Sequence, residues 1–394
     1  MTKKKPEPVD PDMEPASILA YFSKIADPRV TRARLHPLSS VLVLSLCAVV
    51  CGANSFVEIE MFGRIREKWL RSFLDLPHGI PSHDTLGRVF AMLNPKELQQ
   101  AFVAWTQAIS TVTDGEVVAI DGKTLRRSFE RAGQRAFVHM VSAWSAGNQM
   151  VLGQVRTDEK SNEITAIPRL LELLELKGCL VTIDAMGCQK EIAQKIVDAS
   201  ADYMLAVKDN QPKLAADVSA VFDEALLDES FKAKCHETRE KGHGRIDVRR
   251  CWTLKVDADF GAPYDQWPQL SRIVRVETER TINGKTSIEH RHYIASRTTL
   301  NAKTALAASR SHWSIENQLH WVLDVAFRED ECRVRVQNAG ENFAVLRHIA
   351  LNLIKSTRTG NKKFDGVGVK AKRRLAGWDD DYMLRVLGAN SQKI

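Results

Sequence analysis

Cysteine chemistry is nearly absent from this chain. Its seven cysteines are odd in number and include no Cys-x-x-Cys pair. That argues against both a disulfide framework and a zinc ribbon, and fits reduced thiols in a cytosolic protein. Long apolar runs are missing as well. The most apolar stretch, Val41 to Ala53, falls short of the roughly 20 residues needed to cross a bilayer, so a buried helix is expected there. The first residues, Met-Thr-Lys-Lys-Lys-Pro-Glu-Pro, are charged with no apolar stretch directly behind them. A signal peptide is therefore not expected, and residues 1–14 read as a disordered tail.

What is present is ordinary globular material. A chain of 394 residues, 44% hydrophobic and 27% charged, can bury a sizeable core in two or three units. Lys plus Arg exceed Asp plus Glu by 56 to 49, and the resulting charge of +7 leans toward an anionic partner. The excess is concentrated between Lys355 and Arg374, where Asp365 is the single acid. Residues 356–394 accordingly read as a basic C-terminal tail, either solvated or in contact with phosphates.

Residues 15–110 look helical, with periodic apolar positions broken at Pro37, Pro77, Pro81 and Pro95. Ser82 or Asp84 can cap a helix running to Leu93, with Arg64, Arg66, Lys68, Arg71 and Arg88 nearby. This N-terminal helical domain could present a helix to DNA, or simply carry a solvated basic face. From Glu116 the texture turns to strands. A first strand ends at Asp121, and Ala136 to Trp144 with Gln149 to Thr157 suggests a hairpin. An amphipathic helix over Glu163 to Leu176 follows, then a strand ending at Asp184, a helix over about 189–199 and a strand Tyr203 to Val207. The order β-β-β-α-β-α-β describes an antiparallel meander and then helical crossovers, which demand parallel pairing. The fold class is α/β with a mixed sheet.

Two apolar runs thus end alike, Val-Val-Ala-Ile-Asp121 and Leu-Val-Thr-Ile-Asp184. If their strands lie side by side in parallel, about 4.8 Å apart, the two carboxylates can share a cation. The plainer alternative is that each aspartate caps the turn after its strand. Between about 214 and 299 the alternation is interrupted by a β-rich insertion with an Asn283-Gly284 turn signal and a Gly242-His-Gly-Arg-Ile-Asp247 surface loop. Helical periodicity returns near Asn301, where Ile315, Leu319, Val322 and Ala326 form an expected buried stripe with His312, Glu316 and His320 beside it. This is not His-Glu-x-x-His, so zinc is not favoured; hydrogen bonds between elements, or phosphate contact, suit the histidines better.

The motifs Ala-Ile-Asp121-Gly-Lys, Ile-Asp184-Ala-Met-Gly-Cys-Gln, Val207-Lys-Asp-Asn-Gln211, His312-Trp-Ser-Ile-Glu316-Asn and Leu-His-Trp-Val-Leu-Asp324 occur in order. Together they resemble the H-repeat-associated group of bacterial DDE insertion-sequence transposases. The resemblance implies a ribonuclease H-like catalytic domain over 111–355 behind an N-terminal associated helical domain. It assigns the catalytic, metal-holding triad to Asp121, Asp184 and Glu316. Related transposases often place tyrosine, arginine and lysine around the glutamate, whereas His312, Asn317 and His320 stand here. Two Mg²⁺ ions, replaceable by Mn²⁺, are then expected, with Asp121 bridging them, and the nucleophile is water or a 3′-hydroxyl. Lys123, Arg126, Arg127 and Lys208, with His312, Asn317 and His320, are the expected DNA contacts. Double-stranded DNA, both element ends and target, and a homodimer or larger assembly on it are the expected partners, in the cytoplasm at the nucleoid. A structure-selective nuclease of the same fold and an idle DNA-binding descendant are the rival readings.

Overall fold

The structure, a computed structural model, describes residues 17–110, 113–125, 139–157, 163–242, 244–257 and 260–388. The expected N-terminal tail, Arg126, Arg127, the first residues of the second expected strand and His243 of the glycine loop lie outside the described residues. Two compact units emerge. One comprises 17–110 with 321–388, and the other comprises 113–124 with the described residues of 139–320.

The second unit is built on one nine-stranded sheet. In chain order its strands are β1 Val117–Thr124, β2 His139–Ser145, β3 Met150–Arg156, β4 Leu180–Ile183, β5 Asp202–Val207, β6 His236–Gly242, β7 Arg245–Lys255, β8 Arg272–Ile282 and β9 Lys285–Ala295. In space they run β3-β2-β1-β4-β5-β9-β8-β7-β6. β1 is antiparallel to β2 and parallel to β4, and β4 is parallel to β5. This meander with two parallel crossovers is a ribonuclease H-like sheet. Val118, Ala119 and Ile120 are each fully buried, so both faces of β1 are covered, which is what an unbroken apolar run requires of a central strand. Burial of the Val118 and Ile120 side chains contributes about 1.5–3 kcal/mol each.

The β-rich insertion opens with helices Pro212–Ala225 and Glu229–Lys232, and its four strands then extend the same sheet beyond β5. β9 returns antiparallel against β5, with Ala206 opposite Tyr293. The β8–β9 hairpin closes through Asn283 and Gly284, at φ 49° and 77°. Both lie in the left-handed region that a two-residue hairpin turn uses, the reason Asn-Gly is favoured there.

The first unit is helical. Leu38–Val50, entered through Pro37, is the buried helix expected from the apolar run. His83–Met92 is capped by Ser82, whose Oγ accepts from the Thr85 amide at 3.3 Å. Pro95–Ile109 starts behind Asn94 with proline in its first turn, where a missing N–H costs nothing. The helix Ala339–Ser356 belongs with them: Asn342 Nδ2 donates to the carbonyls of Phe90 and Leu93 at 2.8 and 2.9 Å, and Phe343 packs against Phe56 with ring centroids 5.5 Å apart. By its contacts this segment packs with the helical unit, although it lies within the 111–355 span expected for the catalytic domain.

A correction concerns the basic C-terminal stretch. Val369–Trp378 and Asp380–Val386 are helices, and Lys372 and Arg373 are buried. Arg373 donates through Nε to the Val49 carbonyl at 3.2 Å, and its guanidinium lies 4.1 Å from the centre of the Phe327 ring. A charge count cannot distinguish such a structural guanidinium from a solvated one, because Arg buries its stem wherever carbonyls can take its protons.

Candidate active site

Strand pairing sets the first half of the site. Ile120 is the ladder partner of Ile183, so Asp121 and Asp184 are the next residues on adjacent parallel strands. Their exits differ. β1 continues to Thr124, with Asp121 opposite Ser142, whereas β4 stops and Asp184 enters a 3₁₀ turn. There Asp184 Oδ1 accepts from the amides of Met186 and Gly187 at 3.1 and 3.3 Å. Asp184 thus caps its turn as well as facing Asp121. A Cβ at Gly187 would stand 2.3 Å from Ile183 Cγ2, so a side chain there would force the packing around Ile183 to shift.

The other half comes from the helical segment. Ala302–His312 begins in a reciprocal cap between Asn301 and Thr304 and lies along β1 and β4. His312 Nδ1 and the Thr182 hydroxyl are 3.2 Å apart, and the Trp144 indole donates to Ser314 Oγ at 3.1 Å. Glu316–His320 then winds as a π-helical turn before α-helix resumes at Trp321–Phe327. Wide turns of this kind cluster at functional sites. Of the expected stripe, Ile315, Leu319 and Ala326 are buried and Val322 is half-buried, with Leu323 and Phe327 buried beside them.

These elements converge on Asp121. Among the described residues, one ligand atom each of Asp121, Glu163 and Asp184 lie within 4.8 Å of one another, and so do those of Asp121, Glu316 and His320. Asp121 belongs to both groups. Glu163 opens the helix Glu163–Leu171, and its Oε1 is 2.8 Å from His139 Nε2. His320 Nδ1 lies 3.4 Å from Asp121 Oδ2 and 3.5 Å from Glu316 Oε2, and its backbone carbonyl accepts from Lys123 Nζ at 3.4 Å.

The electrostatics arise from crowding. Burial, then the charges of Glu316 and Glu163, push the Asp121 carboxyl up to about 8. Asp184 is also raised, first by burial and then by Glu163. Glu316 is held below the usual carboxylate range, chiefly by its hydrogen bond to His320. Burial pushes His312 down to about 4, so it is neutral. Four carboxylates and one imidazole, with His320 Nε2 buried and lacking a hydrogen-bond partner, form a donor set suited to hard divalent cations. Beside them is a cleft of about 190 Å³, lined also by Lys208, Arg291 and Trp313, with the Arg291 guanidinium 4.5 Å from the indole centre.

The expected DNA contacts are scattered. Lys208 is exposed at the cleft, while Asn317 is exposed and donates to the Trp313 carbonyl at 3.3 Å. His320 is 6% exposed and faces two carboxylates, whereas His312 lines the cleft with Lys208 and meets the Thr182 hydroxyl. Sequence reasoning misses Glu163 and His139. Their one local trace is Gly122: a Cβ there would stand 2.2 Å from Glu163 Oε1 and 2.6 Å from His139 Nε2.

Comparison with known proteins agrees with this architecture. Residues 113–353 match the family described as Transposase DDE domain, and residues 19–106 match the one described as DDE_Tnp_1-associated. This chain belongs to the DDE transposases. The DDE transposase is 41% identical over 379 residues to "Putative transposase YncI" of Escherichia coli O157:H7, covering 95% of each chain. It is 38% identical over 385 residues to "H repeat-associated putative transposase YhhI" of Escherichia coli strain K12, covering 96% of this chain and 99% of that one. A solved structure, a piggyBac transposase synaptic complex with hairpin DNA, overlaps 95% of the DDE transposase and 78% of its own chain, at 12% identity and a TM-score of 0.39. No helix of the described residues is long and apolar enough to cross a membrane.

Proposed function

We propose that this DDE transposase cleaves and joins DNA at the ends of an insertion sequence by two-metal phosphoryl transfer, with Asp121, Asp184 and Glu316 as its catalytic carboxylates. The observation that carries the reading is the sharing of Asp121 between two groups of ligand atoms, each group within 4.8 Å. Asp121 would be common to both cations, Asp184 would hold one and Glu316 the other. Bound there, Mg²⁺ or Mn²⁺ supplies Lewis-acid activation of the attacking hydroxyl and neutralises the departing oxygen. The chain contributes rigidity: the β1–β4 ladder fixes the two aspartates, and the Thr182 and Trp144 contacts hold the helix that delivers Glu316.

A covalent enzyme intermediate is not part of this reading. Cys179 and Cys188, the thiols nearest β4 in sequence, are buried and pushed up to about 12, chiefly by desolvation, so thiolate is not available. Lys208 and Arg291 at the cleft would neutralise phosphates of the scissile strand, and Lys123 would steady the turn that carries His320. The helices of residues 17–110 would bind DNA outside the catalytic domain. Pairing of two element ends calls for a dimer or larger assembly on DNA, working in the cytoplasm.

The test uses the full chain with DNA that carries the terminal repeats, in Mg²⁺ and in Mn²⁺, and with pre-cleaved ends bearing a free 3′-hydroxyl. Cleavage and strand-transfer products are expected. Cleavage without joining would point to a nuclease, and binding with neither would point to an idle descendant.

A further inference from the structure

We infer that Glu163 is a fourth carboxylate of this site, a ligand of the cation held by Asp121 and Asp184, and that His139 is its positioning residue; the inference rests on the two-metal reading above. Glu163 is the acidic residue of the first turn of the helix Glu163–Leu171. Glu163 turns inward: its side chain is 15% exposed, and one oxygen is close enough to those of Asp121 and Asp184 for a single ion to touch all three. Three carboxylates so close repel one another, and only part of that repulsion is offset by Lys208 at Asp184. A divalent cation would offset the rest.

The support around Glu163 is built. His139 Nε2 lies 2.8 Å from Glu163 Oε1, and the ring's Nδ1 lies 2.7 Å from the Thr124 hydroxyl. This chain from Thr124 through His139 to Glu163 ties the carboxylate to β1 and β2, the first of which carries Asp121. Such outer hydrogen bonds orient metal-holding side chains. Space is made for the same purpose. Because Gly122 has no Cβ, Glu163 Oε1 can sit where a side chain on β1 would collide with it at 2.2 Å. A side chain at position 122 would have to push the Glu163 carboxylate and the His139 ring aside.

The competing account is a plain ion pair that pins a helix to β2. Mn²⁺ titration of the cation-free full-length protein separates the two, followed by calorimetry and by electron paramagnetic resonance of free Mn²⁺. Glu163→Gln keeps size and a hydrogen-bonding group but removes the charge. It is expected to weaken one of two Mn²⁺ equivalents by at least tenfold, to leave the unfolding temperature without cation unchanged or higher, and to lower cleavage. Glu163→Asp should fall in between, and it serves as the readout if the glutamine variant does not fold. His139→Ala should weaken Mn²⁺ several-fold in the wild-type background and have no further effect in Glu163→Gln. Fe²⁺ substituted for Mn²⁺ should cut the backbone near residues 121 and 163 when peroxide is added. A variant that shifts the unfolding temperature yet binds both Mn²⁺ equivalents as wild type would overturn the role of Glu163, while loss of binding in Asp121→Asn alone would leave the wider reading standing. Absence of Mn²⁺ binding by the wild type would overturn both.

Discussion

Asp121 and Asp184 stand on neighbouring parallel strands and inherit their separation from the backbone ladder, since Ile120 and Ile183 are partners within it. Glu316 and His320 stand on a π-turn, and they reach Asp121 because the preceding segment is held by side chains, Thr182 to His312 and Trp144 to Ser314. The strand-borne half of the site is therefore placed by hydrogen bonds that every residue type supplies. The helix-borne half is placed by a few replaceable contacts and one irregular turn. Its carboxylate is also the more open: the Glu316 side chain is 52% exposed against 15% for Asp121. Substitutions in the two halves should therefore fail in different ways.

The largest effect should come from the residue that both halves share. Asp121→Asn is expected to lower the cleavage rate by about 10³-fold or more, the scale of several kcal/mol of lost charge stabilisation, while DNA affinity in a gel-shift assay stays within a few-fold. Asp184→Asn and Glu316→Gln should come close to it; an active Glu316→Gln enzyme would leave the helix-borne half without a part in the chemistry. Next in size is deletion of Asn317, which shortens the five-residue π-turn to α-helical spacing. Cleavage should drop by about 100-fold through mispositioning, with the far-ultraviolet circular dichroism spectrum retained. Full activity after the deletion would show that the π-turn does not aim Glu316.

Stability against pH probes the shared carboxylate without any substrate. Asp121 is raised from 3.8 to about 8 in the folded chain, first by burial and then by Glu316 and Glu163. The native state keeps a proton that the unfolded chain gives up, so in cation-free buffer this contribution is intact below about pH 4 and is lost as pH rises to about 8. Thermal unfolding at pH 5 and pH 8 should show the decline, and Mg²⁺ or Asp121→Asn should flatten it. Gly122→Ala tests the strand side by steric means: a Cβ 2.2 Å from Glu163 Oε1 should displace that carboxylate, weakening Mn²⁺ binding with little change in chemical denaturation. Thr182→Val, which leaves His312 Nδ1 without its hydroxyl, should cost about 1 kcal/mol and loosen the helix-borne half alone.

Much of the strand-borne half is legible from residues alone. Two apolar runs ending in aspartate, separated by a meander and a helical crossover, leave few topologies besides parallel neighbours. The Asn283-Gly284 hairpin is legible for a similar reason, because its chemistry is local. Glu163 is not: a glutamate on an amphipathic helix is an ordinary sight, and its hydrogen-bond partner His139 is distant in sequence. The π-turn is invisible as well, since the buried Ile315, Leu319 and Ala326 fit an ordinary α-helical stripe. The basic stretch near Arg373 misleads for a third reason, because the Val49 carbonyl that receives its guanidinium lies far along the chain.

By itself, then, the amino-acid order determined the mixed sheet, the two strand exits and the resemblance to a transposase family, because periodicity, turn residues and crossover handedness act over short stretches. Only the tertiary structure decided that Glu163 and His320 join the aspartates, that four strands of the insertion prolong the same sheet, and that the basic C-terminal stretch is folded. Each of those outcomes turns on a contact between residues far apart in the chain, and the energy of such a contact depends on what the rest of the fold brings near.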